Sequence, residues 1–277
     1  MNFIKNIVLK TLMYLVLVFV VIISVFPIIW VVISAFKTNA QILGNPFTLP
    51  TKIDFKAFEY VFSKYNFLQY TFNSFFIAVV STLISLLIFS MGAYVIAKYN
   101  FWGKNLFFIL FTLTLLVPSF TRTQPIFSLI MKLNLYDTRS GLILVYISGG
   151  MAMSMFILKS SFMSIPKELN EAAQIEGAGF FKIFWKINIP LASSGLLTAG
   201  ILMFLGNWNE YFYAMLLTSS DKNRTLPLAL QFFNEAFSYD YTKMFAALTV
   251  VILPGIIIYA FAQNQIKESI ASTGSKG

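Results

Sequence analysis

The stretch that decides the reading is SIPKELNEAAQIEGAGFFKIFWKINIP, Ser164–Pro190. Pro166 suits the first turn of a helix, where its missing N–H would have had no intrahelical partner. Leu169, Ala172 and Ala173 follow at i, i+3 and i+4, a face of small residues with Glu168 and Glu171 beside it. Gly177 and Gly179 end this helix, because glycine reaches the backbone conformations that a sharp reversal needs. A second short helix is expected beyond the corner: Phe180, Ile183, Phe184 and Ile187 recur at i, i+3, i+4 and i+7, with Lys182 and Lys186 on the other face. Pro190 closes it and opens a long apolar run. The expectation is two short amphipathic helices at a glycine corner, standing outside a bilayer. An ordinary surface loop packed on its own bundle is the bland alternative, but a face of alanines suits close docking by a second protein.

Outward from this segment the chain turns apolar. Hydrophobic residues make up 58% of the 277 residues and charged ones 11%, against roughly 25% charged in soluble domains. So few charges cannot cover a water-soluble globule, whereas apolar surface needs no cover in lipid. The formal charge of +9 does not imply nucleic acid, because the lysines and arginines flank apolar runs, as residues that meet lipid headgroups do. The absence of Cys and His excludes disulfides, thiolate or imidazole metal sites and His-based acid–base catalysis.

About 20 apolar helical residues cross a bilayer core, and six candidate spans follow: residues 11–36, 71–97, 105–121, 140–158, 189–217 and 244–266. The first is too long for a signal-peptide core and no small-x-small cleavage site follows its early part; Pro27 is expected to bend it. Pro118, Arg122 and Pro125 make the end of the third irregular, and Pro254-Gly255 is expected to break the last. Lys and Arg divide evenly between the two sides, so charge alone does not orient the chain. The long connections are residues 38–70, with an amphipathic helix expected near Phe55–Phe62, residues 218–242, with a Pro227-led helix, and the 164–190 loop.

Glu171-Ala172-Ala173, then Gly177, then Ile187-x-Ile189-Pro190 resemble the EAA signature of binding-protein-dependent ABC importer permeases, EAA-x3-G-x9-I-x-L-P. The spacing agrees at every step; Ile189 replaces the usual leucine, and Glu176 stands where aspartate is frequent. Asn73-Ser74, LYDT (Leu135–Thr138), IPKEL (Ile165–Leu169), WNEY (Trp208–Tyr211) and Gln263 look like the carbohydrate-uptake class, specifically the shorter, maltose-type second permease. The tail Ser269–Gly277 only loosely echoes that family's glycine-rich end.

The resemblance implies an all-α membrane protein of six transmembrane helices, the type I ABC importer permease fold, with a cytoplasmic two-helix coupling loop. That loop would sit in a groove of an ABC ATPase dimer and move as the dimer closes, with Glu168, Leu169, Glu171, Ala172, Ala173, Glu176, Gly177 and Phe180 carrying the coupling. Both termini would be cytoplasmic in a bacterial cell membrane, and the 38–70 and 218–242 loops would face an extracellular or periplasmic sugar-binding protein. A homologous second permease would complete a heterodimer. ATP and Mg would be bound by the ATPase, leaving this chain without a cofactor and without enzymatic activity. Ser148-Gly149-Gly150 resembles the signature of ABC ATPases, but no Gly-x4-Gly-Lys-Ser/Thr phosphate loop accompanies it; a helix-packing site is expected instead.

Glu210 is the acidic residue well inside an apolar span, a position costing roughly 2.5 kcal/mol or more without partners or water. With Asn73, Trp208, Asn209 and Tyr213 it forms the candidate substrate path, suited to sugar faces and hydroxyls. Equally, Glu210 could bond to the companion permease; Asn73 and Arg122 are also readable as interhelical or interface anchors. An ion-coupled secondary transporter is the rival function, yet it would favour inverted repeats and paired intramembrane ionisable groups. A membrane enzyme would need a catalytic constellation that the scattered polar residues do not supply.

Overall fold

In a computed structural model, which describes residues 2–236 and 240–274, the chain is built of helices joined by short connections, with no strand among the described residues. The helices, in order, are α1 (Asn2–Ser34), α2 (Asn39–Gly44), α3 (Lys56–Lys64), α4 (Phe67–Lys98), α5 (Lys104–Leu113), α6 (Thr123–Lys132), α7 (Arg139–Ile147), α8 (Met151–Met163), α9 (Lys167–Ile175), α10 (Phe180–Ile183), α11 (Ile189–Leu191), α12 (Ser193–Trp208), α13 (Phe212–Leu217), α14 (Leu226–Ala236) and α15 (Tyr241–Gly274). Short 3₁₀ turns precede α6 and α14, and a π-turn, Phe184–Asn188, joins α10 to α11. The expected amphipathic helix near Phe55 is α3 and the Pro227-led helix is α14; the last three residues of the tail lie outside the described chain, as does the stretch 237–239 of the 218–242 loop.

Three helices are long and apolar enough to cross a membrane: Leu9–Ser34, Phe67–Lys98 and Tyr241–Ala260. Two further spans exist if each of two bent pairs counts as one, α7 with α8 (bent by 51°) and Phe180–Leu191 with α12 (79°). By length and composition, three to five of the expected six spans are accounted for. The expected span 105–121 is not among them as a single long helix: α5 has only 10 residues. It dissolves into tight turns because the Thr114 hydroxyl bonds the Phe111 carbonyl (2.7 Å), Leu115 and Leu116 amides reach back only three residues, and Pro118 cannot continue a helix.

Two other expectations change. α15 runs unbroken through Pro254-Gly255, a tolerance that neighbouring groups and local adjustment give proline in membrane helices. Ser148-Gly149-Gly150 does not continue a straight helix but forms the bend between α7 and α8, where Gly150 adopts φ +71°. It is also a site of close approach: a Cβ on Gly150 would lie 3.3 Å from Met203 Cγ, and one on Gly149 3.4 Å from Asn207 Oδ1. The carbonyl of Ile147, freed by the bend, accepts the Ser85 hydroxyl of α4 (2.8 Å). Asn207 Nδ2 of α12 reaches Thr82 Oγ1 at 3.3 Å. Polar side chains at helix interfaces thus satisfy backbone that lipid could not.

The chain divides into two compact units. One comprises Met1–Phe67 and Leu230–Pro254. Its α1 buries none of the 18-residue apolar window that defines the span, as a helix bathed in lipid or covered by another chain would. At its end Trp30 Nε1 (2.8 Å) and the buried Lys37 Nζ (2.6 Å) both donate to the Pro46 carbonyl, and the Trp30 ring packs edge-on against Phe245. The other comprises Leu68–Ala229 and Gly255–Gly277. Its core, with Phe89, Tyr94, Met155, Leu158, Phe162, Phe184, Ala199 and Met203, lies between α4, α8 and α12 and reaches the 164–190 segment.

Candidate functional site

The 164–190 segment folds as two helices at a corner. α9 ends with the Gly177 N–H on the Gln174 carbonyl and the Ala178 N–H on the Ala173 carbonyl, both 2.9 Å, with Gly177 at φ +79°. These are the paired bonds of a Schellman closure, which needs a left-handed residue where Gly177 stands. α10 then leads through the π-turn into α12. Ile183 and Phe184 are buried, Ile187 is half-buried and Lys182 and Lys186 are exposed, as the helical periodicity predicts.

Two buried asparagines lock the corner. Asn188 Nδ2 donates to Asn170 Oδ1 (2.9 Å) and to the Ile183 carbonyl (3.2 Å), tying α9 to the π-turn. Below them Tyr94 meets Phe180 (5.4 Å), Phe184 (5.1 Å) and Phe162 (5.7 Å). Lys98, at the end of α4, donates to the Ile165 carbonyl at 2.5 Å just before α9 begins. The corner is thus fastened to the end of α4 and to the core beneath it. The sequence pattern carried no sign of Asn170 or Asn188; only their pairing in space reveals them.

The expected small-residue face is divided. Ala173 is 8% exposed and points into its own chain with Asn170, while Leu169, Ala172 and Ile175 (88% exposed) look outward. The reason is angular: in α9 the inward stripe is 170 and 173, held by the asparagine pair, so 169, 172 and 175–176 take the opposite side. Glu168, Glu171, Glu176 and Gly177 are exposed, and Phe180 is partly so. A Cβ at Gly177 would meet nothing within 4 Å.

The candidate substrate residues do not line one polar cavity. Asn73 is buried, and its Nδ2 donates to the carbonyls of Lys222 (2.9 Å) and Arg224 (2.8 Å). Trp208 is buried and stacked on Phe204 (6.1 Å). Asn209 is exposed but its Nδ2 bonds the Leu205 carbonyl (2.9 Å). Glu210 falls in the gap between α12 and α13 rather than within a helix: both carboxylate oxygens accept the Tyr213 amide (3.0–3.1 Å), and the Tyr146 hydroxyl donates to its carbonyl (3.3 Å). It caps the amides that open α13, a use of the carboxylate that neither sequence reading had included. Along α4 and α12 a groove of about 600 Å³, with Val79, Leu83, Leu86, Leu197, Gly200 and Phe204 on its walls, is almost wholly apolar and suits hydrocarbon rather than hydroxyls. Among the described residues no group of acidic side chains could hold a metal ion.

The family described as "Binding-protein-dependent transport system inner membrane component" matches residues 90–271. The chain is 32% identical over 252 residues to a diacetylchitobiose uptake system permease protein of Streptomyces coelicolor, covering 90% of this chain and 83% of that one. It is 31% identical over 263 residues to an arabinooligosaccharides transport system permease protein of Halalkalibacterium halodurans, covering 94% of each. Its fold matches a chain in the crystal structure of a bacterial ABC transporter involved in import of the acidic polysaccharide alginate, with TM-score 0.82, 26% identity, and coverage of 94% and 97%.

Proposed function

The chain belongs to the family of binding-protein-dependent transport system inner membrane components, and we propose that it is one of two permease subunits lining the path of an ATP-driven carbohydrate importer in a bacterial cell membrane. The relatives named above take up oligosaccharides, which supports a sugar or sugar derivative as cargo. In this reading six segments cross the membrane, the short α5 and the turns after it completing the sixth, both termini are cytoplasmic, and the 164–190 corner is the cytoplasmic coupling element. A separate ATPase dimer binds ATP and Mg; a homologous permease and an extracellular or periplasmic sugar-binding protein complete the assembly.

One observation carries the reading. The corner is rigid underneath, through Asn188–Asn170 and Lys98–Ile165, while above it Leu169, Ala172, Ile175 and Phe181 are exposed. A lever needs that combination: a stiff attachment to the bundle and an uncovered face for the part that moves it. Glu210 argues against the ion-coupled rival, since the intramembrane carboxylate such a carrier would use is engaged by its own chain at the start of α13.

The chain has no cysteine, so Ala172→Cys offers a unique thiol. A thiol-reactive photocrosslinker at that position is expected to capture an ABC ATPase in cells, and affinity purification of the chain is expected to recover that ATPase with a second permease. Capture of no ATPase, or labelling of the thiol by a membrane-impermeant reagent from outside the cell, would overturn the coupling assignment.

A further inference from the structure

The LYDT run, Leu135–Thr138, plays no part in the coupling corner, yet it is the centre of a dense polar cluster. Asp137 stands at φ +54° just before α7. Its Oδ1 accepts the amides of Ser219 and Ser220, each at 3.0 Å. Its own amide donates to the Leu217 carbonyl (2.9 Å) and its carbonyl accepts Asn223 Nδ2 (2.5 Å). From the other side the first turns of α4 hold the same segment. Gln69 Nε2 (3.0 Å) and Asn73 Nδ2 (2.9 Å) donate to the Lys222 carbonyl, Tyr70 donates to Asp221 (2.6 Å), and Ser74 Oγ accepts the Leu226 amide (2.7 Å). α7–α8 runs from Asp137 toward the corner and α12–α13 returns from it to Leu217, so this cluster lies at the far end of both.

We infer that Asp137 is a positioning residue for transport: it holds residues 217–226 as one body with the ends of α4 and α7, presenting the exposed Asp221 and Lys222 in a fixed frame to the solute-binding partner. This rests on the importer reading. A surface connection ordinarily lets its amides bond to water and moves freely; here the carbonyls of Leu217, Lys222 and Arg224 and the amides of Ser219, Ser220 and Leu226 are taken up by groups from the distant 69–74 and 137 segments of the chain. Ordering such a segment in advance raises apparent affinity for whatever docks on it, because the cost of fixing it is not met at binding.

The left-handed φ selects the variants. Asp137→Gly removes the carboxylate and keeps that backbone conformation available, and Asp137→Asn keeps both the conformation and one acceptor while losing the charge. A single spin label at Lys222→Cys is read for mobility in each background, with Trp102→Cys, 95% exposed between α4 and α5, as the remote control. In the reconstituted complex with its ATPase and binding protein, ATP hydrolysis is measured against the concentration of loaded binding protein. Asp137→Gly is expected to mobilise the label at 222 but not at 102. It should also raise the half-saturating binding-protein concentration by about fivefold or more, on the scale of lost charge-assisted hydrogen bonds, with unstimulated and saturated rates kept; Asp137→Asn should fall between. Unchanged mobility at 222, or a uniform loss of basal and saturated rates, overturns the inference. If the wild-type complex shows no stimulation at all, the importer reading falls instead, and the mobility arm still decides whether Asp137 fixes the segment.

Discussion

Substitution of Gly177 separates two costs that are usually entangled. The residue sits at φ +79° with nothing within 4 Å of where a Cβ would be. An L-residue forced into that region loses about 1–2 kcal/mol, offset by about 0.4–1 kcal/mol from a less disordered unfolded chain. The net destabilisation is about 1 kcal/mol, a few degrees in Tm for a protein of this size. Because the surrounding space is open, the cost should not depend on side-chain volume: Gly177→Ala and Gly177→Trp should melt together, and Gly177→Asn, which tolerates the left-handed region, closer to wild type. Coupling should behave in the opposite way. If the corner is seated in a partner, the added volume has nowhere to go, so sugar uptake should fall steeply from Ala to Trp while ATP hydrolysis continues. Melting curves of the purified permease pair, alongside transport and hydrolysis in proteoliposomes, test both halves. A tryptophan variant far less stable than the alanine one would show that the corner is not open; one that transports normally would show that nothing docks there.

Other perturbations bear on the attachment of the corner and on the far end. Asn188→Ala leaves the buried Asn170 Oδ1 and the Ile183 carbonyl without their shared donor, a loss of about 1–3 kcal/mol; in a double-mutant cycle with Asn170→Ala the stability losses should be less than additive. Gly195→Ala drives a Cβ into Ser161 and should cost about 1–3 kcal/mol, relieved by Ser161→Gly. Gly141→Ala meets the Leu135 backbone carbonyl, so no neighbouring substitution should rescue its melting temperature. At Asp137, burial pushes the carboxyl upward, but hydrogen bonds from Ser220, Ser219 and Asn223 outweigh it and hold the group below the usual carboxylate range. The stabilisation is therefore complete above the ordinary value of about 3.9 and lost as pH falls through the lower folded one. The Tm gap between wild type and Asp137→Gly should be constant from neutral pH to about 5 and close only under stronger acid.

How legible this was in the sequence depends on the range of the interaction. The corner was readable because a helical period, a glycine stop and a second helical period are local, and they appear where expected in α9, Gly177 and α10. The apolar spans were readable as composition. What failed was continuity. No periodicity reveals that Thr114 and Pro118 unravel a run as apolar as α5, or that Ser148–Gly150 bends a span, because hydropathy counts residues and not the backbone bonds they make. Glu210 illustrates the same limit: its burial invited a partner, but the partner is an amide three residues ahead, exposed only because α12 stops at Trp208. The inward turn of Ala173 was hidden for a different reason. Which alanine of a pair faces the bundle is fixed by Asn170 meeting Asn188, 18 residues away.

The two ends of the α7–α8 and α12–α13 pairs then differ in a way that bears on what covers each. At the Asp137 end, segment and span ends satisfy one another's backbone groups, and what they leave exposed is polar, Asp221 and Lys222. At the corner the backbone is equally complete, closed by Gly177 and the asparagine pair, but the side chains are not. Ile175 is 88% and Phe181 61% exposed, with Leu169 and Trp185 also open, among Glu168, Glu171, Glu176, Lys182 and Lys186. Hydrocarbon would leave those five charges unsolvated, and water would leave four large apolar side chains of one short corner uncovered. A protein surface, apolar at its centre and charged at its rim, would meet both demands. The covering chain should therefore carry an apolar cleft for Ile175 and Phe181. Ile175→Asp, which leaves the fold untouched because nothing of its own chain covers that side chain, should release the ATPase from the purified complex while the companion permease stays bound; an ATPase that remains in stoichiometric amount would refute the assignment of this face.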